Sequence, residues 1–322
     1  MDWIEVAIDF IVNQELDNDN VNIRCMQAYA CISAIDIVWQ SIQQLHRAVI
    51  DQKSVPFAGD RDIFVKNNIC QDDNEYFKHI RAVFGAHPVN LNREGKWFAS
   101  WPTDNVYHEY DYAVILYNAN EDQKVIFGYC FSELEKFLVV RYQYLSNILM
   151  EIERQIQEYK SNKSLQKIVR SDDMVEQLNI LKNELEHRLD NDYYSYLIEE
   201  LLILYRANNT RDINRKVIEE YLNECRKLVM EIYSNLQNME PLEPEHGDLL
   251  NLRHPTTIHY DLSKIYECLR GTSEDRLYNH YIKKIGEFLN GYISISSDMH
   301  AFELYLLIKA GLYSYWKSNC DV

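Results

Sequence analysis

A chain of 322 residues, 47% apolar and 26% charged, is long enough to bury a sizeable core without staples and too apolar to be disordered. Nine glycines and six prolines leave few chain breaks, which favours long helices over a strand-and-turn architecture. The formal net charge of −17 repels nucleic acid at long range, so any contact with it needs a local basic site.

Met1-Asp2-Trp3-Ile4-Glu5-Val6 carries acids where a secretory signal needs a basic start and an apolar run. Asp36 interrupts the most apolar stretch, Cys25 to Trp39, and Glu303 and Lys309 interrupt the C-terminal one, so no membrane span is expected. The seven cysteines are scattered, with no C-x-x-C spacing. They read as reduced thiols of a cytoplasmic protein and not as metal ligands.

Residues 2–16 read as an amphipathic helix with Trp3, Val6, Ala7, Phe10 and Ile11 on one side. Asp19 or Asn20 can cap the next, long helix over about 21–51. Its Cys25, Ala28, Ile32, Ile35, Val38 and Ile42 recur at three- and four-residue steps and mark a buried stripe. Pro56, Gly59 and Asp60 break the chain. A third helix starts at Asp72-Asp73 and runs to about Phe84, where Gly85 and then Pro88 stop it. Residues 112–117 and 125–130 are rich in β-branched and aromatic side chains around a polar turn, which predicts a β-hairpin at about 112–130 packed against the helices. From Ser132 a helix of about seven turns runs to near residue 158. The polar segment 160–167 is the best boundary in the chain. Further helices are expected near 172–189, 192–207, 211–238, 261–270, 273–291 and 297–317, with a loop over 240–248. The expected fold is all-α, helical bundles with one inserted β-hairpin, divided into residues 1–160 and 161–322.

Chemistry concentrates at the end of the third helix. Lys78, His79, Arg81 and His87 fall within ten residues. Between 75 and 96, Lys78, Arg81, Arg93 and Lys96 stand against Glu75 and Glu94, a local +2 in a chain of −17. A helix puts Lys78 and Arg81 on adjacent faces, and Gly85 then lets His87 fold back toward Arg81. An arginine fork beside a titratable imidazole can hold a phosphodiester and move a proton. The same residues also suit a structural role, because a helix C-terminus attracts cations and a histidine before proline can cap the last carbonyls.

The string Phe77-Lys78-His79-Ile80-Arg81-Ala82-Val83-Phe84-Gly85-Ala86-His87-Pro88 resembles the signature of the HEPN superfamily, an arginine, four to six residues and a histidine near a helix end in an α-helical bundle. The resemblance covers about the first 160 residues. It implies a metal-independent ribonuclease, or a nucleotide- or RNA-binding protein, of the kind found in bacterial defence and toxin–antitoxin systems. Arg81 and His87 would then be catalytic and Lys78 and His79 would bind substrate. The family further implies a symmetric homodimer in which two copies of the motif meet. Ala82 stands where active members usually carry a polar residue, and the hairpin is an insertion. An uncatalytic scaffold or interaction protein with a protein partner is the alternative.

Glu199-Glu200 with Glu219, Glu220 and Glu224 admits a third reading, a magnesium-dependent all-α nucleotide pyrophosphohydrolase, if two acid clusters faced one another. His254 and His259 read as surface residues. No phosphate loop, nucleophile elbow or H-E-x-x-H is present, and neither metal nor cofactor is expected.

Overall fold

The computed structural model describes residues 2–14, 20–66, 70–86, 97–100, 109–118, 121–189, 191–207, 214–269 and 275–320. These residues are mostly helical, with one small antiparallel sheet. The chain separates into two compact units, Met1–Ile156 and Gln157–Val322.

In the first unit Asp2 caps α1 (Trp3–Asn13), its carboxylate accepting the Ile4 amide at 2.9 Å. This helix packs along α2 (Val21–Val49), whose Ile32, Ile35, Val38 and Ile42 are completely buried at the predicted spacing. The helix expected over 72–84 is α3 (Asp73–Ile80) followed by one π-helical turn, Arg81–Ala86. The sheet has the order β1-β2-β3, with β1 (Trp97–Ser100), β2 (Tyr112–Asn118) and β3 (Glu121–Tyr129). The expected hairpin is β2–β3. A third strand, β1, adds to that hairpin; at four residues it is too short for alternation to be legible in the sequence.

Alternate residues Val114 and Leu116 of β2 and Phe127 and Tyr129 of β3 enter the core against Tyr76, Phe77, Phe84 and Phe137. The Tyr76 hydroxyl donates to the Gly128 carbonyl at 2.7 Å and ties α3 to the sheet. A Cβ at Gly128 would fall 2.5 Å from the Tyr112 carbonyl, so only glycine fits there. The long helix expected from 132 to 158 is two helices, α4 (Phe131–Gln143) and α5 (Leu145–Leu165), interrupted at Tyr144. The Tyr144 hydroxyl pairs with His46 Nδ1 at 2.8 Å, and its ring lies 5.3 Å edge-on from Phe57. Most of the polar segment 160–167 is helical, because α5 continues to Leu165.

The second unit consists of α6 (Met174–Arg188), α7 (Ser195–Arg206), α8 (Arg215–Asn238), a 3₁₀ turn at Gly247–Leu250, α9 (Thr256–Leu269), α10 (Tyr278–Phe288) and α11 (Ala301–Cys320). Its core is built around α8, which buries Tyr221, Cys225, Leu228, Val229, Ile232 and Leu236, and α11, which buries Leu304 to Ala310. Inside it lies an ion pair. Lys309 Nζ stands 2.8 Å from Glu200 Oε1, with side-chain exposures of 7% and 4%. The Tyr305 hydroxyl donates to the same oxygen at 2.6 Å, and Lys309 also donates to the Leu250 carbonyl. Burial alone would push the Glu200 carboxyl up. The Lys309 charge and the hydrogen bonds from Lys309, Tyr305 and Tyr196 reverse that and hold it below its ordinary value.

Removing the cation strands a buried carboxylate, so Lys309→Met should cost about 3–5 kcal/mol in urea unfolding. The double variant Glu200→Leu/Lys309→Met should recover most of that. Because the Glu200 value is lowered by folding, its contribution is complete above the ordinary carboxylate range of about 4.3 and fades as pH falls through the folded value. The double variant should lack that acid-side slope.

Candidate functional site

Two adjacent aspartates fix the start of α3. Asp72 Oδ1 accepts the Glu75 amide at 2.8 Å as an N-cap. Asp73 has no exposed surface, and its two oxygens accept the Ile63 and Phe64 amides at 3.1 and 3.2 Å. Phe77 and Ile80 face the core and are completely buried, which turns Lys78 and Arg81 outward. Arg81 opens the π-helical turn, and Phe84 pins that turn to the sheet by an edge-on contact with Tyr129 at 5.0 Å. Such turns recur at functional sites, because the wider coil re-aims side chains.

Between α2 and α3 lies a cavity of about 360 Å³. Asp36, Gln40 and Gln43 line it from α2 at helical i, i+4, i+7 spacing, and Lys78 and Arg81 line it from the other side. Arg81 Nε stands 3.2 Å from Asp36 Oδ2. Arg81 is 46% exposed, so the pair contributes no more than about 1 kcal/mol. Burial raises the Asp36 carboxyl above its ordinary value, and the Arg81 charge and a hydrogen bond from Gln40 offset this only in part. The pair is thus an adjustable contact, with the acid paying part of the desolvation of the site.

Behind the cavity sits Arg141, 1% exposed, its guanidinium 3.6 Å from the Phe137 ring centre and its Nη2 donating to Asn74 Oδ1 at 2.8 Å. Burial lowers its pKa to about 10 against the pull of Asp73, Asp60 and Asp72. Its Nε and Nη1 have no hydrogen-bond partner among the described residues.

Of the four residues singled out in the sequence, Lys78 and Arg81 line one cavity. His79 does not line it. Its Nδ1 donates to the Glu75 carbonyl at 2.8 Å, one turn back on its own helix, with Cys70 Sγ 3.5 Å away. His87 lies outside the described residues, as do Arg93, Glu94 and Lys96; the π-helical turn carries the chain to Ala86, its neighbour. Asp36, Gln40 and Gln43 escaped the sequence reading, although an acid interrupting the apolar run of α2 was a usable signal.

Four of the five glutamates considered for magnesium take cationic partners instead. Glu199 pairs with Lys182, Glu200 with Lys309, Glu219 with Arg215 and Glu224 with Lys227. Glu200 is a core residue, which corrects its reading as part of a surface acid cluster. Among the described residues no group of three or more His, Cys, Asp or Glu side chains could hold a metal ion. His254 Nε2 and His259 Nδ1 stand 3.1 Å apart, and His254 Nδ1 lies 3.1 Å from the Leu252 carbonyl. Hence His254 donates through Nδ1 and accepts from His259 through Nε2. Among the described residues no helix is long and apolar enough to cross a membrane.

A raised carboxyl keeps its proton in the folded chain where the unfolded chain has lost it, so stability declines as pH rises between the ordinary and the raised value. Urea unfolding across that interval should show the decline in the parent protein and its absence in Asp36→Asn. Comparison with protein-family models, with curated proteins and with solved structures gives no match to this chain.

Proposed function

We propose that the cavity between α2 and α3 holds an RNA phosphate and that the protein is a metal-independent, HEPN-like ribonuclease. The observation that carries this reading is the placement of Arg81 and Lys78 on one cavity wall at the start of the turn that leads to His87. In an anionic chain these two cations line the cavity beside the acids Asp36 and Glu75, where a phosphodiester would compete for the guanidinium. Arg81 holds the phosphate through its terminal guanidinium nitrogens and neutralises charge as it builds. His87 removes the proton from the 2′-hydroxyl, whose oxygen attacks phosphorus. The bond to the 5′-oxygen breaks, that oxygen takes a proton from water, and a 2′,3′-cyclic phosphate and a 5′-hydroxyl result. A homodimer would bring two such motifs together, and a cytoplasmic location would suit the reduced thiols.

The Arg81–Asp36 ion pair favours a second reading on the same cavity, a non-catalytic module that binds a nucleotide, RNA or a protein partner. In it the arginine is released from Asp36 only when a ligand competes for it.

Labelled RNA incubated with the protein in chelator separates the two. The ribonuclease reading expects products with 2′,3′-cyclic ends, a loss of about 100-fold or more in His87→Ala, and a large loss in Arg81→Ala. Inert parent protein, or equal cleavage by parent and His87→Ala, overturns catalysis. Inert protein that still binds RNA in an Arg81-dependent way establishes the second reading.

A further inference from the structure

The second unit carries an independent constellation. One face of α8 is core, and the opposite face, Arg226, Lys227, Met230, Glu231 and Ser234 at three- and four-residue steps, lines an open groove of about 490 Å³. Met239 ends the helix in the left-handed conformation, φ 58°, and the chain returns so that His246 joins the same groove. Glu231 grips this residue twice. One carboxylate oxygen accepts the His246 amide at 3.1 Å, and the other accepts Nδ1.

Other contacts already fix the path of the returning loop. Tyr194 and Asn235 donate to the Leu242 carbonyl at 2.6 and 3.1 Å, and Tyr221 donates to the Leu249 carbonyl at 3.0 Å. The grip on Nδ1 therefore does more than tether the chain: it sets the ring orientation and leaves Nε2 as the free nitrogen. Among the described residues Nε2 has no hydrogen-bond partner, and the imidazole is 34% exposed. Both oxygens of Glu231 are turned to His246, which blunts their repulsion of an anion. Lys227 is held by Glu224 at 2.8 Å, whereas the exposed Arg226 has no ion-pair partner among the described residues and offers its guanidinium fork. Met230 and the aliphatic stems of Arg226 and Lys227 offer an apolar floor.

We propose that this groove binds a small phosphate monoester of mononucleotide size. Arg226 takes two phosphate oxygens, and a third shares one proton with His246 Nε2. The organic body lies over Met230. The site is separate from Arg81 and does not rest on the ribonuclease reading.

Isothermal titration of the full chain with 5′-AMP, adenosine and inorganic phosphate tests it. The expected result is saturable AMP binding, with adenosine and inorganic phosphate both weaker. Arg226→Ala and His246→Gln should each weaken AMP by about tenfold or more. Arg226 is exposed, so its variant stays informative if the His246 variant unfolds. No saturable AMP binding, unchanged affinity in Arg226→Ala, or inorganic phosphate equal to AMP would each overturn the proposal.

Discussion

Asp73 is a carboxylate with no access to solvent, and the placement of the candidate cavity depends on how that charge is satisfied. A buried charge without partners would cost several kcal/mol. Here both oxygens accept backbone amides, from Ile63 and Phe64, while the buried guanidinium of Arg141 lies in the field of Asp73, Asp60 and Asp72. The segment before α3 is thereby locked to the first residue of the helix. Everything downstream inherits that register: Phe77 and Ile80 go inward, and Lys78 and Arg81 go to the cavity wall.

Exposure separates the ionic contacts into two kinds. Glu200–Lys309 is enclosed, hydrogen-bonded on several sides and costly to break, so it specifies the packing of α7 against α11. Arg81–Asp36 is half open, weak, and next to empty volume. A pair of that second kind can be exchanged for a pair with a ligand at little expense, because water and the incoming anion both compete for the guanidinium. Glu231–His246 lies between them: a bidentate grip orders the imidazole, yet the ring keeps one nitrogen toward the groove.

What the sequence reveals follows from which physical signals are local. The stripe of α2 was legible because six apolar residues recur at helical steps, and β2 and β3 were legible from their β-branched and aromatic content. Strand β1 was not, since its place depends on pairing with β2 more than ten residues away. The break at Tyr144 depends on His46 and Phe57, both distant in sequence, and so leaves no mark in the apolar periodicity of α4 and α5. At the cavity, Lys78 and Arg81 stood out as clustered cations in an acidic chain. Asp36 reads locally as an interruption, and only the approach of α3 to α2 makes it a partner. Glu200 looks like any helix-surface acid until Lys309, over a hundred residues later, is placed beside it.

The most direct test of the claim that the cavity between α2 and α3 takes RNA is photocrosslinking of 4-thiouridine RNA to the full chain, mapped by mass spectrometry. Crosslinks are expected on α2 around Gln40 and Gln43 and on the segment from Lys78 to Ala86, suppressed by Arg81→Ala. Crosslinks confined to other surfaces, or a pattern that Arg81→Ala leaves intact, would contradict it.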